Sequence, residues 1–384
     1  SLRAGISALE FQFREGDFGP YPKGLMYGLQ ILDSWLYDDE KPFVHVKAND
    51  TFKCLKDKIG TRYYEELIQK YLIDNTHTSF VSIEPKVGLT AILDQQESKR
   101  LADYKQTLSQ ADLERLVQET CELRTYQEEP TPQEALSCIP IIKREDIGKK
   151  AILFKTKEAR IGKIPVWWHD VFTNGINYLR FSFDIKDFLK YAPYISLLTD
   201  VVGYVDTTKY NKLELSNELL LHAGNFSITT TIYNSRKRAG EYEIRLEVGT
   251  KVLLDETTYV AELIGHILSE SKLDDVKRLK EIIGEARSAR QEALQSAGHN
   301  TAAGRANAYL SESGYYADQM QGVGYYDFLC DLDDHSEERK EHLVEILEKL
   351  YENIFAKERL LVDVTTSEDG YSDLEQSLDG FLKV

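Results

Sequence analysis

The chain has 384 residues, with 47 Lys and Arg against 64 Asp and Glu and a formal net charge of −17 at pH 7. That length suggests two or three domains, and that charge leaves no basic footprint for nucleic acid and disfavours docking on an anionic membrane. Its four cysteines, Cys54, Cys121, Cys138 and Cys330, include no C-x-x-C pair, so they read as free thiols rather than a disulfide scaffold or a structural zinc site.

No apolar run approaches the ~18 residues of a membrane span, and no secretory signal is visible. The chain opens SLRAGISALEF, without an initiator Met and inside a helical pattern. The expectation is an excised piece of a longer protein, and cysteine usage points to a cytoplasmic location.

Residues 1–75 read helical. Leu25, Leu29, Leu32 and Leu36, with Trp35, give an apolar face, and Gly19-Pro20 and Pro22 break the chain ahead of it. The segment HTSFVSIEP (77–85) sets Phe80, Val81 and Ile83 among polar residues and predicts a strand. Residues 92–128 are charged and glycine-free, with a narrow stripe at Leu113, Leu116, Val117 and Cys121 and Ser109 able to cap a second helix. This predicts a helical hairpin with little core of its own, hence a connector. In TPQEAL, Thr131, Pro132 and Glu134 predict a capping box, and residues 138–150 read as a linker.

The remainder differs in kind. Strands are predicted at 151–158, 164–169, 176–184, 225–233, 241–248 and 359–365. Helices are predicted at about 188–204, 210–222, 256–297, 300–313 and 336–356, with a last helix to Leu382. The fold class is therefore α+β, a sheet with helices packed on one face.

The one local hint of metal chemistry is DDHSEERKEH, where His335, Glu338 and Arg339 fall one residue short of H-x-x-E-H. Arg339 stays protonated and cannot replace a neutral imidazole. His342 lies two turns from His335, roughly 10 Å of rise, too far for one ion with bonds of about 2 Å. An acidic helix start explains every residue: Ser336 as cap, with Glu337 and Glu338 in the first turn.

The other histidines, His45, His77, His169, His222, His266 and His299, have no His or Cys one turn away. His266 and Glu270 predict a surface hydrogen bond. Asp38-Asp39 and Asp333-Asp334 read as solvated turns, and Trp167-Trp168 as a core residue beside a surface one. Neither a G-x-S-x-G elbow nor a phosphate-binding G-x-x-x-x-G-K-[ST] loop is present, and GVG (322–324) is a lone G-x-G.

Three longer stretches carry a resemblance. SALEFQFREGDFGPYPKGLMYGLQILDSWLYDDEKPF (7–43) resembles the second domain of the presequence-protease (falcilysin-like) branch of the pitrilysin, or insulinase, zinc metallopeptidases. GHNTAAGRANAYLSESGYYADQMQGVGYYDFL (298–329) is similar to the same branch, through Gly298-His299, Arg305, Ala308, Gln319, Gly322, Tyr325 and Phe328-Leu329. YISLLTDVVGYVDTTKYNKLELSNELLLHAGNFS (194–227) resembles the family's repeated helix, helix, glycine and strand unit.

That family builds two bowl-shaped halves from four homologous α+β domains of the pitrilysin/mitochondrial-processing-peptidase type, joined by a helical hairpin around a peptide-holding chamber. The resemblance implies that residues 1–88 are the end of domain two, 89–150 the hairpin linker, and 151–384 a catalytically degenerate domain three. The family's H-x-x-E-H zinc motif belongs to domain one, and its R-x-x-G-G-A-Y segment to domain four. In the third-domain unit, SLLTD places Ser196, Thr199 and Asp200 at the His, Glu and His positions. One carboxylate cannot hold a zinc alone.

The expectation is therefore a non-catalytic middle region of a zinc metalloendopeptidase, forming chamber wall and hinge. It would carry no catalytic or metal residue and no cofactor of its own, with zinc elsewhere in the parent. Its partners would be the remaining domains of the same polypeptide and peptide substrates, with neither nucleic acid nor membrane. An acidic lining would attract basic peptides. The alternative is a stand-alone peptide-binding or scaffolding protein on a dead peptidase fold.

Overall fold

A computed structural model of the chain describes residues 2–150, 153 and 155–381. The first part is helical: α1 (Leu2–Glu15), α2 (Lys23–Trp35), α3 (Asn49–Asp57), α4 (Tyr63–Ile68), α5 (Leu89–Thr107), α6 (Gln110–Glu128) and α7 (Gln133–Ser137). Then come strands β1 (Thr156–Ile161), β2 (Ile164–Asp170) and β3 (Ile176–Asp184), helices α8 (Ala192–Val201) and α9 (Lys212–His222), and strands β4 (Ala223–Asn234) and β5 (Tyr242–Leu253). Helices α10 (Thr257–Glu270), α11 (Val276–Ser296), α12 (Gly298–Ala308), α13 (Glu312–Gln321), α14 (Val323–Asp334) and α15 (Ser336–Ile354) follow, before strand β6 (Leu360–Thr366) and helix α16 (Glu368–Phe381).

Two units are defined by internal packing: Ser1–Glu65 with Leu153–Val384, and Glu66–Ile152. The larger holds one six-stranded sheet in the order β1-β2-β6-β3-β5-β4. Strand β6 inserts between β2 and β3, parallel to β2 and antiparallel to β3; the other pairings are antiparallel.

Alternation along β5 decides which face is covered. Ile244, Leu246, Val248 and Val252 are buried, while Glu243, Arg245, Glu247 and Lys251 point the other way. Leu179, Phe181 and Phe183 of β3, with Val362 and Val364 of β6, extend the apolar face. Against it lie Ile195, Leu197, Leu198 and Val201 of α8, Val260, Ile264 and Ile267 of α10, and Leu347 and Leu350 of α15. Each such side chain contributes about 1.5–3 kcal/mol when taken out of water. The architecture is α+β, with the helices on one face of the sheet.

Helix α1 joins this unit across a long stretch of sequence. Phe11 is buried against Gly224 of β4, where an added Cβ would collide with the ring. Tyr178 Oη donates to Glu15 Oε1 at 3.0 Å, and Lys251 Nζ sits 2.8 Å from the same oxygen.

Helices α2, α3 and α4 bury no residue. The predicted face of α2 forms but stays exposed, with Leu25 at 52% and Leu36, just beyond its end, at 74%.

In the smaller unit, α5 and α6 are helical as the sequence predicts and bury nothing. Ser109 caps α6, accepting from the Asp112 N–H at 3.2 Å, while the Asp112 carboxylate accepts in return from the Ser109 N–H at 3.3 Å.

Several expectations change. Residues 77–85 form no strand; Phe80 is 95% and Ile83 89% exposed. Alternation alone does not hold a strand without a neighbour to complete its ladder. Thr131 does not cap α7, whose N-cap is Pro132 with no side-chain bond. Likewise His335, not Ser336, precedes α15, and no side chain caps it.

Among the described residues the first strand runs from Thr156, and Lys155 just before it still accepts from the Asp170 N–H at 3.1 Å. Ala151, Ile152, Phe154 and Leu382, which the sequence assigns to strand and helix, lie outside the described residues. The helix predicted at 256–297 divides at residues 271–275, the one predicted at 300–313 ends at Ala308, and α13 and α14 are helices that the sequence pattern does not mark. The four cysteines are free, as expected, and among the described residues no helix is long and apolar enough to cross a membrane.

Candidate functional site

Helix α8 carries the three positions singled out in the sequence. It is held against the sheet by its own apolar run, APYISLLTDV, with Pro193 in its first turn. Ser196 is buried, and its Oγ donates to the Met320 carbonyl at 2.6 Å. Thr199 Oγ1 donates back to the Ser196 carbonyl at 2.7 Å. Asp200 Oδ2 accepts from Tyr325 Oη at 2.6 Å. The three side chains thus have three separate partners and do not converge on a common point.

Burial pushes the Asp200 carboxyl above its ordinary range, while the Tyr325 hydrogen bond and the nearby Arg290 charge oppose that rise. Burial likewise raises the Tyr325 phenol, and the Asp200 charge adds to it. Tyr325 is therefore a fixed donor to a carboxylate, and not a group poised to lose its proton. Two hydroxyls and one engaged carboxylate do not fit a zinc ion, which needs three or four thiolate, imidazole or carboxylate donors. Among the described residues, no group of three or more His, Cys, Asp or Glu side chains is placed to hold a metal.

The stretch 298–329 locks this helix in place. Arg305 Nη1 lies 2.5 Å from Asp318 Oδ2, and the Gly324 N–H donates to the same oxygen at 3.1 Å. A Cβ at Gly322 or Gly324 would fall within 2.7 Å of an Asp318 carboxylate oxygen. These glycines let the backbone close around a buried carboxylate, which sets Tyr325 opposite Asp200.

Beside α8 runs a cleft of about 380 Å³, lined by Thr199 and Asp200, by Phe226, Ser227 and Ile228 of β4, and by Ile282 and Ala286 of α11, among others. A neighbouring cavity of about 450 Å³ shares Tyr204, Phe226 and Arg278 with it. On the other face of the sheet, His169, Arg180, Glu247, Lys251 and Asp363 line a polar cavity of about 560 Å³. Glu247, only 6% exposed, accepts from Tyr233 Oη at 2.7 Å and Thr231 Oγ1 at 2.8 Å. His169 Nε2 stands 3.3 Å from Asp363.

Other sequence candidates resolve into local contacts. His266 Nδ1 meets Glu270 Oε1 at 2.9 Å, as predicted. His335 lies by the Asp331 carbonyl; Asp333 and Asp334 sit in helix α14 and not in a turn, and Asp333 pairs with Arg287 at 2.7 Å. Trp168 is buried and stacks on Tyr371, while Trp167 is exposed.

The family model for the region associated with peptidase family M16, subfamily C, matches residues 83–332. The chain belongs to this peptidase-associated family. Protein HypA of Clostridium perfringens is 32% identical over 378 residues, covering 98% of this chain and 38% of HypA. Presequence protease 1, chloroplastic/mitochondrial, of Arabidopsis thaliana is 28% identical, covering 100% of this chain and 36% of that protein. The mitochondrial presequence protease of Drosophila melanogaster is 22% identical over 74% of this chain and 28% of its own length. The chain is thus a presequence-protease-like, peptidase-associated region of the pitrilysin family, and it spans 28–38% of the length of these three relatives.

The sequence makes α8 and its three positions visible, but not their partners. Tyr325 and Met320 are more than a hundred residues away, and only the fold brings them to α8.

Proposed function

We propose that this chain is the non-catalytic middle region of a zinc metalloendopeptidase that degrades peptides inside a closed chamber. In this reading residues 1–88 complete a second domain, 89–150 connect the two halves as a hinge, and 151–384 form a third domain and part of the chamber wall. The zinc and the reacting groups belong to other parts of the polypeptide, which are this chain's main partners.

The observation that carries the reading is the use of Ser196, Thr199 and Asp200. Each is tied by a hydrogen bond to the fold, in a chain of a peptidase-associated family. The polar cavity on the open face of the sheet supports the wall role, because it offers extended peptides polar side chains without an apolar trap. Helices α5 and α6, which bury none of their residues, support the connector role.

The test is co-expression of this chain with the remaining segments of the same gene product, followed by a peptide-hydrolysis assay. Chelator-sensitive cleavage only when the segments are combined supports the reading. Equal cleavage by the remaining segments alone overturns it.

A further inference from the structure

Strand β4 forms one edge of the sheet and pairs only with β5. The direction of its backbone groups follows from three hydrogen bonds. The Ser235 N–H donates to the Glu241 carbonyl at 2.9 Å, so odd-numbered residues of β4 face β5. On β5, the Ile244 carbonyl accepts from the Ile185 N–H at 3.4 Å on the β3 side, so its β4 neighbour Ile232 faces away. Gln321 Nε2 then donates to the Thr230 carbonyl at 2.8 Å, from the open side. Backbone groups alternate along a strand with period two. Phe226 and Ile228 therefore direct both N–H and C=O outward, and among the described residues nothing bonds them.

This open stretch is closed at both ends. Phe11 packs on Gly224 before it, and Gln321 occupies Thr230 after it. Between them lie about five residues, or roughly 17 Å of strand. Helix α11 faces them across the 380 Å³ cleft, and the 450 Å³ cavity beside α9, lined by Leu213, Leu219 and Leu220, opens onto the same Phe226. Unpaired strand edges are normally covered or blunted; this one is left free over a short stretch flanked by cavities.

We infer that the β4 edge at Phe226–Ile228 is a peptide-binding site. It takes one extended segment by strand addition, with a bulky apolar side chain seated in the cavity beside α9. The outward N–H and C=O groups require an extended backbone as partner. A second copy of this sheet would have to bring a flanking strand and helices to the same edge, which is bounded by α11, Phe11 and Gln321. A single peptide strand needs only the width of one ladder, about 4.8 Å. The inference rests on the reading that the parent protein handles peptides, and it gives the degenerate α8 region a holding role without chemistry.

The experiment is fluorescence anisotropy on the full 384-residue chain. The probe is a fluorescein-labelled peptide of about eight residues, a strand's typical length, with one central leucine among serines and threonines. A second set carries a single N-methyl group at each successive amide. The expected result is saturable binding, weakened about tenfold by methylation at alternate amides and unchanged at those between. Ser216→Trp, an exposed position lining the apolar cavity, should weaken the leucine peptide by a similar factor while the protein stays folded. No saturable binding up to about 1 mM, methylation effects without alternation, or full affinity in Ser216→Trp would each overturn the inference. Chamber activity on co-expression with flat anisotropy removes only the edge site. Edge binding without that activity removes only the chamber reading.

Discussion

Tyr325 of α14 donates a 2.6 Å hydrogen bond to Asp200 at the end of α8, joining residues 125 positions apart. The donor lies at the end of the glycine-flanked stretch that closes around Asp318, and the acceptor is the last of the three α8 positions singled out in the sequence. Helix α8 is thereby held to α14 through its last carboxylate.

The first prediction follows from removing that donor. Tyr325→Phe leaves a partly buried carboxylate without its partner and preserves the ring's packing. The expected loss is about 1–3 kcal/mol of unfolding free energy, read by urea denaturation at neutral pH. A change below a few tenths of a kcal/mol would show that the carboxylate is satisfied in another way.

Asp200 also predicts a pH dependence. Burial holds its carboxyl above the ordinary value of 3.8, so above that pH the folded chain keeps a proton that the unfolded chain releases. Stability from this group therefore falls as pH rises through the window above 3.8 towards the folded value. Asp200→Asn removes the effect. The melting temperature of the variant relative to the parent chain should be higher at pH 7 than at pH 4, and thermal scans at both values check it.

The pair of Arg305 and Asp318 is unequal, with an Asp318 side chain only 2% exposed and an Arg305 side chain 41% exposed. Arg305→Ala leaves a buried carboxylate without its counter-ion and should lower the unfolding free energy. Adding Asp318→Asn should recover part of that loss, because the uncompensated charge disappears. Chemical denaturation of the single and double variants measures the recovery.

At Gly224, a methyl group would collide with the Phe11 ring. Gly224→Ala should destabilise the docking of α1 by about 1–3 kcal/mol. Limited proteolysis should then cut within residues 1–65 sooner than in the parent chain, while the fragment from 156 onward persists.

Much of the sheet is legible in the sequence because its strands alternate. In EYEIRLEV, Ile244, Leu246 and Val248 alternate with charged residues, and the structure buries that set. The same rule fails at HTSFVSIEP, where Phe80, Val81 and Ile83 have the composition of a strand but no neighbouring strand. The caps divide in the same way. Ser109 precedes Asp112 at the spacing that lets each satisfy the other's N–H. At Thr131, Pro132 itself takes the cap position and the expected bond has no place to form. The α8 positions are legible as a pattern, but Tyr325, Met320 and the polar surroundings of Glu247 depend on contacts across the fold that local periodicity does not encode.

The central proposal is that this chain supplies structure to a peptidase and no zinc chemistry of its own. The direct measurement is zinc stoichiometry of the purified chain by mass spectrometry, with a peptide-hydrolysis assay in added Zn²⁺ and then chelator. The account predicts far less than one zinc per chain and no chelator-sensitive cleavage. One tightly held zinc per chain, with cleavage that chelator abolishes and zinc restores, would contradict it.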